Sequence, residues 1–130
     1  SAASDVYKRQ TVFADLRPEM TIAREEIFGP VLGVLPVDSM DQALQIANGT
    51  DYGLHATVYT RDLDRAMYFA RRLECGTVAV NGFTEGDIKT PFGGYRRSGS
   101  LARDKGLEAM AQYQQIKTIW LRLSAMGLNA

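Results

Sequence analysis

The feature that most constrains the fold of this 130-residue chain is the alternation of apolar strands with amphipathic helices. Residues 31–37 form a nearly continuous apolar run, and residues 55–59 and 77–81 read as two further strands. Helical patterns separate these runs, one beginning after the capping residue Ser39 and the other after Asp62. Strands joined through helices by short connections predict parallel pairing. The expected fold class is therefore α/β, with a parallel βαβαβ arrangement.

Composition excludes several classes of partner. The chain is 45% hydrophobic and 23% charged, and its 15 basic residues balance its 15 acidic ones, so nothing would attract nucleic acid or an anionic membrane. No apolar run approaches the roughly 20 residues that cross a bilayer. A single cysteine and a single histidine argue against an internal disulfide framework and a structural zinc site. This composition predicts a cytoplasmic protein.

A possible ligand site lies at the sharp turn formed by Gly29 and Pro30, which ends a helix-compatible segment at residues 23–26. The turn would display Glu26 and Phe28. A carboxylate can accept two hydrogen bonds from a vicinal diol and a ring can pack on a flat ligand, so a ribose with its base would suit this pair. The alternative is a solvated Glu and a core Phe beside a turn. Glu25 is expected to be a poor candidate because neighbours on a helical turn point about 100° apart.

This stretch resembles the cofactor-contacting motif of the NAD(P)-dependent aldehyde dehydrogenase family. The resemblance implies that Glu26 binds the nicotinamide ribose of NAD or NADP and that Phe28 lies near it. It extends from about residue 11 to residue 123 and includes further landmarks in family order. These are Tyr52-Gly53-Leu54, Gly76-Thr77-Val78-Ala79-Val80-Asn81, Pro91-Phe92-Gly93-Gly94-Tyr95 and Ser98-Gly99.

Substrate contacts are expected in the Gly-rich loop at residues 82–98, because ligands of parallel sheets bind beyond the carboxyl ends of strands. The resemblance implies that Phe92 lines an aldehyde tunnel. Glu85-Gly86-Asp87 and Lys117-Thr118-Ile119-Trp120 resemble the branch acting on aminoaldehydes such as γ-glutamyl-γ-aminobutyraldehyde. Glu85 or Asp87 could hold the substrate ammonium by a charge-assisted hydrogen bond. The alternative is a solvated acidic loop.

The chain offers no catalytic nucleophile. Its only thiol, Cys75, follows a helix, where the dipole disfavours a thiolate, so a small buried or capping role is expected. The resemblance implies that the nucleophile, the general base and the pyrophosphate-binding crossover lie upstream. We therefore expect a C-terminal enzyme fragment, inactive alone, that oxidises an aldehyde only as part of the whole protein.

The expected organisation has four parts. Residues 1–10 match no family pattern and are expected to be a foreign segment, and residues 11–113 are expected to be the C-terminal part of the catalytic domain. Residues 114–123 are expected to form an oligomerisation strand, and residues 124–130 a tail. The last helix is expected at residues 103–113. Its start is expected to shift, since Ser100-Leu101-Ala102 stands where the family has a Gly.

The final strand, from Ile116 to Leu123, is rich in β-branched and aromatic residues and is expected at a sheet edge. The resemblance implies that it joins a neighbouring subunit in a homo-oligomer. Two alternatives stay open at this point. One is a stand-alone assembly module acting by strand augmentation, and the other is a small nucleotide-binding domain, which would lack a phosphate-binding turn.

Overall fold

The computed structural model describes residues 9–82, 87–99 and 102–122. Short strands alternate with helices along this part of the chain. In chain order the elements are β1 (Thr11–Phe13), α1 (Thr21–Arg24), β2 (Val31–Gly33), α2 (Met40–Asn48), β3 (Tyr52–Gly53), β4 (His55–Val58), α3 (Leu63–Arg72), β5 (Thr77–Val80), β6 (Tyr95–Arg96) and a 3-10 helix (Leu107–Tyr113).

The strands form three pairs. β1 runs parallel to β2, β4 runs parallel to β5 with α3 as the crossover, and β3 runs antiparallel to β6. The α/β class with parallel strands is thus confirmed. In the described residues, however, β2 is not hydrogen-bonded to β4, so the expected continuous βαβαβ sheet is divided. A strand pattern in the sequence does not specify which edges meet, so it could not predict that β2 pairs with β1.

Both predicted helix caps are confirmed. Ser39 Oγ accepts a hydrogen bond from the Gln42 amide at 3.1 Å, and Asp62 Oδ1 accepts one from the Arg65 amide at 3.0 Å. The Gln42 side chain reaches back to the Asp38 amide at 2.7 Å, which is close to a capping box. These side chains satisfy amides that a helix N-terminus leaves without partners.

α3 ends at Arg72, four residues before the expected stop at Gly76. Leu73 is already extended, with φ −67° and ψ 126°. The side chain of Asn48 explains this early end, because its Nδ2 donates to the Arg72 carbonyl and its Oδ1 accepts from the Glu74 amide, both at 2.9 Å. The Arg72 carbonyl and the Glu74 amide, which a further turn of α3 would have used for its own hydrogen bonds, are thus paired with the side chain of Asn48 in α2.

The C-terminal third differs most from expectation. Instead of an α-helix at residues 103–113, a 3-10 helix begins at Leu107, because Asp104 pairs with Phe92 and Lys105 and Gly106 adopt φ 60° and 64°. The start is shifted, as expected from the departure at residues 100–102. The described part of the predicted final strand, residues 116–122, has no strand assignment, and Leu123 lies outside the described residues. A strand requires a hydrogen-bonding partner, and residues 116–122 pair with no other described part of this single chain.

The chain buries little of its apolar surface. Among the described residues only Leu16 and Ala66 are buried hydrophobic side chains. The accessible surface is 11671 Å², whereas a folded monomer of 14.4 kDa exposes roughly 6,800 Å². No helix in the described ranges is long and apolar enough to cross a membrane. Apolar side chains on β1, β2, α3 and residues 116–122 are therefore left exposed.

Candidate functional site

The turn carrying Glu26 and Phe28 is fixed by backbone contacts of the residues that directly follow Phe28. The Val31 amide donates to the Gly29 carbonyl at 2.7 Å, and the Pro30 carbonyl accepts from Thr11 of β1 at 2.9 Å. Phe28 has φ 53°, a left-handed conformation that is uncommon for a residue with a Cβ. Phe28 is 92% exposed. The turn therefore presents an aromatic ring to the outside instead of packing it in a core.

Two clefts meet at this turn. One, of about 280 Å³, is lined by Glu26 and Phe28 together with Ile22, Ile27 and Val31. The other, of about 480 Å³, is also lined by Glu26 and extends toward Asn48, Cys75 and Ser98. Within the described residues, the Glu26 carboxylate has no hydrogen bond or ion pair. Its oxygens are thus available to accept hydrogen bonds from the hydroxyls of a ligand.

Glu25 is not separated from Glu26 in the way expected. α1 ends at Arg24, and Glu25 has φ −106° and ψ 138°, so the 100° helical offset does not apply. Glu25 lines the same two clefts as Glu26. The expected helical separation of Glu25 from Glu26 is therefore not found, and only the family resemblance favours Glu26 over Glu25.

The predicted substrate residues lie elsewhere. Phe92 is half-buried, its amide donates to the Asp104 carbonyl at 2.6 Å, and the Lys105 ammonium lies 5.5 Å from its ring centroid. Asp87 is exposed, and its Oδ1 accepts from the Lys89 amide at 3.0 Å, which makes it the first residue of a turn. Glu85 lies outside the described residues. Neither Phe92 nor Asp87 lines the clefts at the Glu26 turn.

Cys75 is half-buried in the wall of the larger cleft. Burial raises the pKa of the Cys75 thiol, and its Sγ donates to the Thr77 carbonyl at 3.2 Å. α3 ends at Arg72, three residues before Cys75, so the helix dipole does not explain why the thiolate is disfavoured. Burial of the thiol explains it instead. A protonated thiol engaged with the backbone is a poor nucleophile.

Four of the sequence landmarks converge at one packed seam. The Gly76 amide donates to the Gly53 carbonyl at 3.0 Å, and the Gly53 amide donates to Ser98 Oγ at 3.0 Å. A Cβ on Gly76 would lie 1.5 Å from the Gly93 carbonyl oxygen, and one on Gly94 would lie 2.5 Å from Ser98. The glycines in these motifs are thus explained by close backbone approach, which brings the ends of β3, β5 and the Phe92 loop together.

Asn81 directly follows β5 and precedes the loop at residues 82–98 in which substrate contacts are expected. Its amide is engaged with the backbone, since Oδ1 accepts from the Thr60 amide and Nδ2 donates to the Thr60 carbonyl, both at 2.8 Å. A cleft of about 420 Å³ lies beside it, lined by Tyr59, Thr60, Arg61 and Asn81. Asn81 therefore joins the loops after β4 and β5, a role that no local sequence signal revealed.

The chain was compared with known families and proteins. The profile of the aldehyde dehydrogenase family matches residues 2–119, beginning within the segment 1–10 that showed no motif. The chain is 51% identical over 115 residues to the NADP/NAD-dependent aldehyde dehydrogenase PuuC of Escherichia coli, covering 88% of this chain and 23% of PuuC. It is 45% identical over 119 residues to an aminoacetaldehyde dehydrogenase of Pseudomonas aeruginosa, covering 92% and 24%. It thus spans about a quarter of the length of these curated relatives.

Solved structures give the same result. A mutant of the P. syringae indole-3-acetaldehyde dehydrogenase AldA, in complex with NAD+ and IAA, is similar with a TM-score of 0.78 and 47% identity, covering 86% of this chain and 22% of AldA. An aldehyde dehydrogenase from Mycobacterium tuberculosis complexed with NAD+ is similar with a TM-score of 0.75 and 41% identity, covering 80% and 21%. The described fold is therefore shared with one segment of much longer proteins.

Proposed function

Since this chain belongs to the aldehyde dehydrogenase family, we propose that it is the C-terminal portion of an NAD(P)-dependent enzyme that oxidises an aldehyde to a carboxylate. We call that whole protein the parent enzyme. The observation that carries the proposal is the 51% identity to PuuC over 88% of this chain but only 23% of PuuC. A match of this kind is what one segment of such an enzyme would give.

In this proposal the Glu26 turn forms one part of the cofactor site. The carboxylate of Glu26, which has no partner among the described residues, would accept hydrogen bonds from the nicotinamide ribose hydroxyls, and the exposed ring of Phe28 would pack beside them. These residues fit a ribose, and the NAD+ in the two similar structures supports the choice of cofactor. When bound, NAD(P) would supply the hydride acceptor. The phosphates would be held by the upstream part of the parent enzyme.

The chemical step itself is assigned to residues outside this chain. Formation of a covalent intermediate with an aldehyde requires a thiolate, and the pKa of the only thiol here is raised by burial. Phe92 would contribute to the wall of the aldehyde tunnel. The segment 116–122 would pair with a neighbouring subunit. The isolated chain is therefore expected to have no dehydrogenase activity.

The finer proposal concerns the substrate. The name of one relative, the aminoacetaldehyde dehydrogenase, together with the acidic loop residues Glu85 and Asp87, supports an aminoaldehyde. One oxygen of Asp87 caps the turn at Lys89, and the other would remain for a substrate ammonium. The same capping contact would also explain Asp87 as a turn residue with no role in substrate binding.

The experiment that tests the function uses the isolated chain and the parent enzyme side by side. We expect no aldehyde-dependent reduction of NAD+ or NADP+ by the chain and clear turnover by the parent. In the parent, Glu26→Gln should raise the cofactor KM or lower kcat by about tenfold or more, since a charge-assisted hydrogen bond is weakened. Glu19→Gln is a matched control, because Glu19 is an exposed carboxylate whose ion pair with Arg17, at 2.8 Å, lies away from both clefts. Turnover by the isolated chain, or equal effects of the two substitutions, would contradict the proposal.

A further inference from the structure

The guanidinium of Arg96 joins three separate parts of the chain. Arg96 lies in β6, opposite Tyr52 of β3. Its Nη1 donates to the Asn48 carbonyl at 2.7 Å and also to the Thr50 carbonyl, while Nη2 donates to the Glu74 carboxylate. We call these four residues, Arg96, Asn48, Thr50 and Glu74, the Arg96 cluster. It connects the Gly-rich loop to the end of α2 and to the segment after α3.

Two further hydrogen bonds of Asn48 stabilise the Arg96 cluster. The Asn48 side chain is hydrogen-bonded to the Glu74 amide and to the Arg72 carbonyl, both at 2.9 Å. Glu74 is therefore fixed through its backbone as well as through the contact of its carboxylate with Arg96. The carbonyl groups at the end of α2 carry the negative end of the helix dipole, which favours a cation there. A planar guanidinium can also donate to two carbonyls and a carboxylate at once, which a lysine ammonium does less well.

The backbone of Arg96 shows that this position is constrained. Its φ of 51° lies in the left-handed region, which is unfavourable for a residue with a Cβ. Such a conformation persists where surrounding contacts determine it. The three hydrogen bonds of the guanidinium, together with the pairing to Tyr52, supply those contacts.

Phe92 lies between two anchors. On one side its backbone pairs with Asp104, with N–O distances of 2.6 and 2.7 Å. On the other side, after Gly93 and Gly94, the chain is held by Arg96. Gly93 and Gly94 pack closely against Gly76 and Ser98, and the anchor at Arg96 holds the chain directly after them, so these contacts together determine where Phe92 lies.

We propose that Arg96 is a positioning residue for aldehyde binding, which acts by holding the loop that carries Phe92. This inference rests on the proposed function, since it gives Phe92 a substrate to contact. Arg96 itself would touch neither substrate nor cofactor. Because both Arg96 and Phe92 lie outside the clefts at the Glu26 turn, loss of Arg96 should affect the aldehyde more than the dinucleotide.

The test is a comparison of KM values in the parent enzyme. Arg96→Ala should raise the aldehyde KM by about tenfold and leave the cofactor KM within about twofold, as expected when one binding wall moves. Arg96→Lys should raise the aldehyde KM less than Arg96→Ala does, because lysine restores the positive charge but not the planar, forked set of donors of the guanidinium. Added guanidinium ion should likewise lower the aldehyde KM of Arg96→Ala.

Arg97→Ala is the matched control. Arg97 is the adjacent arginine, its side chain is exposed, and it forms a 3.6 Å ion pair with Asp51 and lies 5.5 Å from the centroid of the Tyr52 ring. These are surface contacts, so its substitution should leave both KM values unchanged. If Arg96→Ala does not fold, Glu74→Gln provides the same comparison, since it keeps an oxygen acceptor but removes the charge, and a smaller rise in aldehyde KM is expected.

Amide hydrogen exchange separates this inference from the proposed function. The Phe92 amide should exchange faster in Arg96→Ala than in Arg97→Ala, whatever reaction the parent catalyses. An unchanged aldehyde KM in Arg96→Ala, or an equal rise of both KM values, would overturn the positioning role. Absence of aldehyde oxidation by the unmodified parent would instead refute the proposed function.

Discussion

Gly76 and Gly93 approach so closely that a Cβ built on Gly76 would lie 1.5 Å from the Gly93 carbonyl oxygen. The obstacle is backbone, which cannot rotate away as a flexible side chain can. We predict that Gly76→Ala destabilises the parent enzyme by at least about 3 kcal/mol, in the upper range for overpacking. The measurement is the midpoint of chemical unfolding together with the soluble yield.

Gly82→Ala is the matched control for that prediction, because a Cβ built on Gly82 would have no atom of the described residues within 4 Å. It should unfold at nearly the same denaturant concentration as the unmodified protein. Equal stability of the two variants would show that the backbone at Gly76 and Gly93 can move apart to accept a methyl group, which would contradict the prediction.

The thiol of Cys75 should react slowly with alkylating reagents. Its pKa is raised by burial, so at any pH near 8 the thiolate fraction is lower than that of an unperturbed cysteine, and it increases only as the pH rises further. Iodoacetamide labelling of the isolated chain, followed by mass spectrometry, measures this directly because the chain contains one cysteine. Chain unfolded in urea is the control, and labelling as fast as in urea at pH 8 would contradict the buried placement.

Asp87→Asn tests the proposed aminoaldehyde preference in the parent enzyme. Asparagine keeps an oxygen that can accept from the Lys89 amide, so the turn is preserved while the charge is lost. We expect the KM for an aminoaldehyde to rise by about fivefold or more, and the KM for a neutral aliphatic aldehyde to stay unchanged. The double variant with Glu85→Gln extends the test to both acids. An unchanged preference in the double variant would leave the acidic loop as a solvated turn.

The exposed segment 116–122 should determine the assembly of the parent enzyme. Ile116 is 97% exposed and Trp120 is 93% exposed, although both belong to types that are usually buried or at interfaces. Trp120→Glu should shift the protein to a smaller species in light scattering after size-exclusion chromatography. Lys117→Gln, which changes a polar residue in the same segment, should not. An unaltered mass for Trp120→Glu would argue against this segment as the subunit contact.

Local signals in the sequence predicted local features well. The caps at Ser39 and Asp62 are confirmed because a side chain three residues from an amide needs no distant partner to form its bond. The display of Glu26 and Phe28 at a turn is likewise a short-range consequence of Gly29 and Pro30. The helix predicted at residues 103–113 was wrong because Asp104 pairs with Phe92, twelve residues away.

The sequence by itself determined the α/β class, the starts of α2 and α3 and the family, since these depend on periodicity, capping and motifs that are read along the chain. Only the tertiary structure decided which strand edges pair, why Gly53, Gly76 and Gly93 are glycines, and that Arg96 holds the end of α2 and Glu74 together. The physical reason is that such contacts join distant parts of the chain. Those of Arg96 span 22 to 48 positions, and no propensity or spacing rule encodes a hydrogen bond over that distance.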